Sequence, residues 1–274
     1  MAKQFFTDDE LVERLWDYEN VKQLMAKHFY CYAGDLRRQE LNDLWVKLPQ
    51  NRRYASLGVN TGFYTGMEDI SNYYVVQLNQ LRYEQLKPFC EADPELSCDK
   101  FNLGRGILNN NAAYSPLLYI AEDGKTARYM CYVQGVRAVG SPDGSADCRF
   151  MFGLVYADLL KEKGEWKIWH LIITNDHAIP AGKDYAEYPM WQDQFGTTGQ
   201  NGPLLTGHYD PNNSYTRDEL GQPTVQRTVY DPFYGWQYLY QDMPHPYYSF
   251  NPNYSYGPEG CMGMPYYERE RRDM

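Results

Sequence analysis

Two residue types able to move protons lie five positions apart, at Tyr30 and Asp35, in the stretch HFYCYAGD of residues 28–35. A phenol with a pKa near 10 can donate a hydrogen bond to a carbonyl that becomes an enolate, and in a dry pocket that bond is strong. A carboxylate in apolar surroundings is shifted towards neutrality and can serve as a general base. Each has a plainer reading, a core tyrosine with a satisfied hydroxyl and an exposed aspartate after a helix. His170 is the candidate acid/base partner. Strand alternation puts Trp166, Ile168, His170 and Ile172 on one face, where a histidine is otherwise a satisfied core residue. His177, in Asn175-Asp176-His177, is the fallback. His28 precedes Tyr30 by two residues and is expected to point elsewhere. Tyr156 and Asp158 alternate onto one face of their strand, and Asp158 equally suits a partner for Arg or Lys across the sheet.

The elements that would position these groups follow from pattern. Thr7-Asp8-Asp9-Glu10 fits a capping box. Leu11, Leu15, Tyr18, Val21, Leu24, Met25 and His28 or Phe29 then recur at helical spacing, predicting a helix over 8–32 that Gly34 stops. Residues 36–45 suggest a short second helix ended near Pro49, and 54–64 a short strand pair. A helix over 68–87 starts with acidic residues, where the helix dipole favours them, and ends at Pro88. Residues 89–104 read as a loop that covers a pocket. Strands are expected at 106–115, 117–120, 126–139, 149–161 and 165–175, with turn signals at Glu122-Asp123-Gly124, Ser141-Pro142-Asp143-Gly144 and Lys163-Gly164. Helices followed by a run of strands indicate α+β.

The boundary at 181 is compositional. Residues 182–274 carry 14 of the 27 tyrosines and 10 of the 16 prolines, with almost no periodicity. The division is therefore 1–181, an α+β domain, and 182–274, a loop-rich extension that wraps its own domain or a partner subunit. A net charge of −10 and a pI of about 5.0 argue against nucleic acid and anionic membranes as partners. Mean hydropathy is −0.68, and no apolar run is long enough to span a bilayer. The first residues show no apolar signal region. The six cysteines form no CxxC, so reduced thiols in a cytoplasmic protein are expected. No Cys or His pair has metal-ligand spacing, and no nucleotide fingerprint or nucleophile motif occurs. The chemistry expected is free of metal and cofactor.

Several pieces together resemble the SnoaL-like branch of the NTF2-like superfamily, which includes scytalone dehydratase, bile acid dehydratases and relatives of ketosteroid isomerase. They are His28-Phe29-Tyr30 with Asp35, Leu41-Asn42-Asp43-Leu44-Trp45, Gly62 and Gly66 before a helix, residues 153–158, and Gly164-Glu165-Trp166-Lys167-Ile168. The likeness spans about residues 8–178. It implies a cone-shaped, curved antiparallel sheet closed by N-terminal helices over an apolar pocket, and a homodimer or homotrimer. It places a pocket Tyr and Asp at Tyr30 and Asp35 and suggests Tyr54 as a second phenol. It also puts Asn111 where these dehydratases often carry histidine. Asn transfers no proton at neutral pH, so Asn111 is expected to orient a substrate oxygen instead.

Two functions follow as expectations. One is a cofactor-independent lyase, a dehydratase first and an isomerase second, acting on a small hydrophobic oxygenated ring compound, aromatic or steroid-like. The other is a non-catalytic binding or assembly protein of the same fold. Convergence of Tyr30, Asp35 and His170 on one cavity favours the first, and scatter favours the second.

Overall fold

The structure, a computed structural model, describes residues 6–59, 62–181, 224–226 and 243–260, with the backbone alone at 175–180 and 226. Helix α1 spans Asp8–Ala33, and its predicted capping box is formed: Thr7 Oγ1 accepts from Glu10 N, and Glu10 accepts from Thr7 N. Its end differs from expectation. Gly34 has an ordinary φ of −82°, and the left-handed residue is Asp35, at φ 56°. Leu36 N donates to Cys31 O and Asp35 N to Tyr32 O, the two bonds of a Schellman turn.

Helix α2 (Arg37–Asp43) follows, then α3 (Pro49–Arg52), where Pro49 starts a turn instead of ending one. The hairpin β1 (Ser56–Val59) and β2 (Gly62–Thr65) leads into α4 (Met67–Ser71), a π-helical segment (Asn72–Gln77) and α5 (Leu78–Ala92). Pro88 lies inside α5 and does not end it. Its ring removes one i→i−4 bond, and the last turn continues beyond it.

The long strands are β3 (Ile107–Ile120), β4 (Thr126–Gly140), β5 (Ala146–Glu162) and β6 (Glu165–Pro180). The two strands expected at 106–120 are one strand with a bulge between Tyr114 and Leu117, where Ser115 has φ 53°. Among the described residues the sheet has seven strands in the order β3-β4-β5-β6-β1-β2-β7, with β7 at Val225–Gln226. All pairs are antiparallel except β1 with β6. The fold is α+β: a curved sheet with the N-terminal helices on one face.

That face carries the main core. Val21, Leu24, Met25, Trp45 and Ile70 from the helical layer meet Ala127, Tyr129, Val155, Ala157, Leu159 and Ile168 from the sheet. Arg14 fastens α1 to the sheet through the carbonyls of Ile120 and Ala121, and Asp17 through Trp166 Nε1 at 2.8 Å. The opposite face carries a second cluster, Phe63, Met130, Leu154, Tyr156 and Ile172. It is covered by residues 243–260 of the extension, with Tyr256 fully buried.

Candidate functional site

The α1 residues that face the sheet core are Val21, Leu24, Met25 and His28, at helical spacing. Tyr30 is off that stripe and 79% exposed, so it does not point into a pocket. A helix advances about 100° per residue, so His28 and Tyr30 face opposite sides. The histidine set aside in the sequence is the one on the inward stripe.

His28 belongs to a buried polar cluster. Its Nδ1 lies 2.9 Å from Glu40 Oε1. The same oxygen accepts from Trp45 Nε1 at 3.2 Å, and Glu40 Oε2 accepts from the Tyr74 hydroxyl at 3.0 Å. Glu40 is wholly buried because α2 turns Arg37, Glu40 and Leu41 inward together. Three donors meet one carboxylate, which satisfies a group that is otherwise costly to bury. The donor on the imidazole is then Nδ1–H, which leaves Nε2 as the ring's basic position.

Tyr73 and Tyr74 come from the π-helical segment, a local widening that recurs at functional sites. Burial pushes the Tyr73 phenol up to about 12, with a smaller contribution from Tyr32 and opposition from Arg37. Burial, then Glu40, drives Tyr74 well above its ordinary value. Both stay protonated donors at neutral pH. Tyr73 stacks on Tyr64 with ring centres 3.9 Å apart.

Asp35 is next to this cluster. It forms ion pairs with Arg37 and, at 3.5 Å, with Arg82 Nε; both arginines are more than nine-tenths buried. Arg37 also lies over the Tyr74 ring at 5.5 Å. Asp35 is thus a partner of two guanidiniums, brought to them by its left-handed backbone. It edges a cleft of about 520 Å³ between α2, the π-helical segment and Lys100. Charged and amide side chains line it together with Leu36 and Val75.

His170 is elsewhere. The register between β5 and β6 shifts between Asp158 and Leu159, because β6 carries an extra residue, Trp169. A bulge reverses the alternation beyond it. Trp166 and Ile168 face the helices, whereas His170 and Ile172 face the covering extension; the expected shared face is corrected. His170 is 5% exposed, with Nδ1 at 2.8 Å from Ser56 Oγ, and burial pushes it down to about 3.

Tyr156 and Asp158 share that face, as expected, but under the extension. Tyr156 packs on Tyr256 with ring centres 5.2 Å apart. Asp158 lies 3.6 Å from Arg128 Nε and accepts from Ser255 Oγ and Tyr256 N, both at 2.7 Å. Burial nevertheless raises it to about 6. Tyr54 is 60% exposed at the end of α3. Asn111 lies opposite Gly135, over which its side chain folds, and reaches Asn109 Oδ1 at 3.5 Å. His177 pairs with Phe152 through its backbone, and its side chain lies outside the described residues. Tyr30, Asp35 and His170 therefore do not converge. Among the described residues no group of three His, Cys, Asp or Glu could hold a metal, and no helix is long and apolar enough to cross a membrane.

No family model matches the chain, and no curated protein matches it in sequence. Solved structures do. A putative scytalone dehydratase from Novosphingobium aromaticivorans is 10% identical with a TM-score of 0.42, over 64% of this chain and 99% of that one. A LinA-type hexachlorocyclohexane dehydrochlorinase from Novosphingobium barchaimii is 11% identical with a TM-score of 0.42, over 63% and 95%. An NTF2-like protein with a cystatin-like fold, also from N. aromaticivorans, is 11% identical with a TM-score of 0.40, over 70% and 99%. The description of the last of these carries the NTF2-like name of the group that the sequence motifs resemble.

Proposed function

We propose that the chain is a cofactor-independent lyase or isomerase that removes a proton beside a carbonyl of an oxygenated ring compound, with His28 as the base. The observation that carries this is the wholly buried Glu40 carboxylate on His28 Nδ1, itself held by Tyr74 and Trp45. A carboxylate on one ring nitrogen fixes the tautomer and aims the other nitrogen, the arrangement general-base catalysis needs. Tyr73, buried next to Tyr74 on the π-helical segment, is the proposed donor for the developing enolate oxygen. The enolate then expels a β-hydroxyl, which takes the proton from the His28 imidazolium and leaves as water, or the imidazolium returns that proton to another carbon. The preference for elimination comes from the sequence resemblance to dehydratases. A homodimer or homotrimer remains part of the proposal and is read by mass in solution.

The test is a panel of hydroxy-ketones and phenolic ketones followed by mass spectrometry for loss of water. His28→Asn keeps an N–H towards Glu40 and removes the base. It is expected to lower turnover about 10²–10⁴-fold, the usual contribution of a positioned acid/base group. Full turnover by a folded His28→Asn protein rejects this mechanism.

A second reading, binding without turnover, is favoured by the scatter of Tyr30, Asp35 and His170 and by the 1% exposure of His28. It predicts panel members that bind and are released unchanged.

A further inference from the structure

Two thiols come together at the end of α5, and the chain between them is folded to bring them there. Cys90 is half-buried in the last turn of the helix, and Cys98 is exposed in the loop that follows. The chain reverses in Asp93-Pro94-Glu95-Leu96, where Leu96 N donates to Asp93 O and Glu95 N to Asp93 Oδ1. Asp followed by Pro is the sequence signature of such a turn. Cys98 is then held from both sides. Ser97 O accepts from Asn102 Nδ2, and Asp99 Oδ1 accepts from Phe101 N as the cap of the short helix Lys100–Asn102. The far end of the loop returns to the same turn of α5. A Cβ at Gly106 would stand 2.6 Å from Phe89 Cζ, so Gly106 lies against the residue before Cys90. The loop therefore closes on α5, and Cys98 is near enough to Cys90 to help raise its thiol, after the larger effect of burial, up to about 11.

We propose that Cys90 and Cys98 are a redox-active dithiol, which a low-molecular-weight disulfide such as oxidised glutathione converts into an intramolecular disulfide fastening the loop of residues 93–106 to α5. Cys98, the exposed thiol, gives its proton to water and attacks one sulfur of the oxidised glutathione. That S–S bond breaks, and one glutathione leaves as a thiolate. Cys90 then loses its proton and attacks Cys98 Sγ, and a second glutathione leaves. Two protein thiols give up two hydrogens and two electrons, and one glutathione disulfide becomes two thiols. The second step needs a thiol held beside the first, because a neighbour fixed in place acts at a high effective concentration. The dithiol does not depend on the proton transfer proposed above. It bears on the same region, because the loop carries Lys100, which lines the cleft beside Asp35.

The test equilibrates the full-length chain in glutathione buffers of rising oxidised fraction, quenches with acid, alkylates with N-ethylmaleimide and digests with trypsin. One peptide, residues 83–100, holds both Cys90 and Cys98, because Pro88 protects Lys87 from cleavage. It is expected to lose two hydrogens and take no maleimide, with the intramolecular disulfide exceeding the glutathione adduct about ten-fold or more. Cleavage after Glu91 and Glu95 is then expected to leave two pieces joined. Cys90→Ser removes only the second sulfur and is expected to stop at the glutathione adduct on Cys98. The wild-type peptide decides the question if that variant fails to fold. Both thiols alkylated at every ratio, a glutathione adduct that accumulates in the wild type, or a disulfide from either residue to a cysteine elsewhere overturns the proposal.

Discussion

The placement of His170 under the extension has a measurable consequence in acid. In the unfolded chain its imidazole takes up a proton near 6.5, whereas in the fold burial pushes it down to about 3. A group whose folded pKa is depressed lends stability that is whole above the unfolded value and is lost as pH falls towards the folded one. Between about pH 7 and about pH 4 the unfolded ring gains nearly a full proton over some 2.5 units, at 1.36 kcal/mol each, so about 3 kcal/mol is lost. Asp158 lies opposite on the neighbouring strand and works the other way. Burial raises it to about 6, so its contribution is whole below 3.8 and is lost as pH rises through about 6. The perturbation is His170→Gln, which keeps a polar group for Ser56 and has no titrating ring. Repacking adds a constant cost, and Asp158 is common to both proteins. Urea unfolding of wild type and variant across this range is expected to show their stability difference moving by about 3 kcal/mol in the variant's favour as pH falls. A difference that stays constant means that His170 is not buried as a neutral ring, and would return it to the list of acid/base candidates.

Other substitutions test the packing that separates the two faces. Ser255→Ala removes a 2.7 Å bond to Asp158 and is expected to cost about 2 kcal/mol in urea unfolding, the usual range for a hydrogen bond to a charged group. Gly58→Ala places a Cβ 2.7 Å from Phe63 Cε1 and 2.9 Å from Ile172 Cγ1, an overpacking expected to cost about 1–3 kcal/mol. Asp35→Asn keeps a residue that tolerates the left-handed conformation but leaves Arg37 and Arg82 without their anion, for an expected loss of about 2 kcal/mol. Asp35→Gly relieves about 1 kcal/mol of backbone strain and is expected to be the more stable of the two. Equal stability of these two variants would argue against strain at this turn.

Local rules carried most of the fold into view. The capping box at Thr7, the three Gly-containing turns and the long strands are all marked by short-range chemistry, and they stand where that chemistry puts them. What escaped depends on single-residue shifts. One extra residue at Trp169 turns His170 to the far side of the sheet, and alternation read along one strand cannot show a bulge that only its partner reveals. The inward position of His28 was legible in the Leu24, Met25, His28 spacing, yet Tyr30 drew attention through its neighbour Asp35. Glu40 had a fainter signal: it shares a helical face with Leu41 and Leu44, but an acid on such a face ordinarily reads as solvent-exposed. Nothing in the composition of residues 243–260 marks them as the cover of Asp158 and Tyr156. That pairing is made across nearly a hundred residues and depends on tertiary contact alone.

Proton abstraction by His28 is most directly read by deuterium transfer from solvent into the carbon acid of a bound carbonyl compound, because exchange reports the first step whether or not a leaving group follows. NMR in deuterated water would compare the wild-type chain, His28→Asn and Glu40→Gln against the same ketone panel. Exchange by the wild type is expected, with a loss of about 10²–10⁴-fold in His28→Asn and a smaller loss of about 10–100-fold in Glu40→Gln. Exchange that persists undiminished in folded His28→Asn, or a wild-type chain that binds panel ketones and exchanges none of them, would contradict proton abstraction at His28.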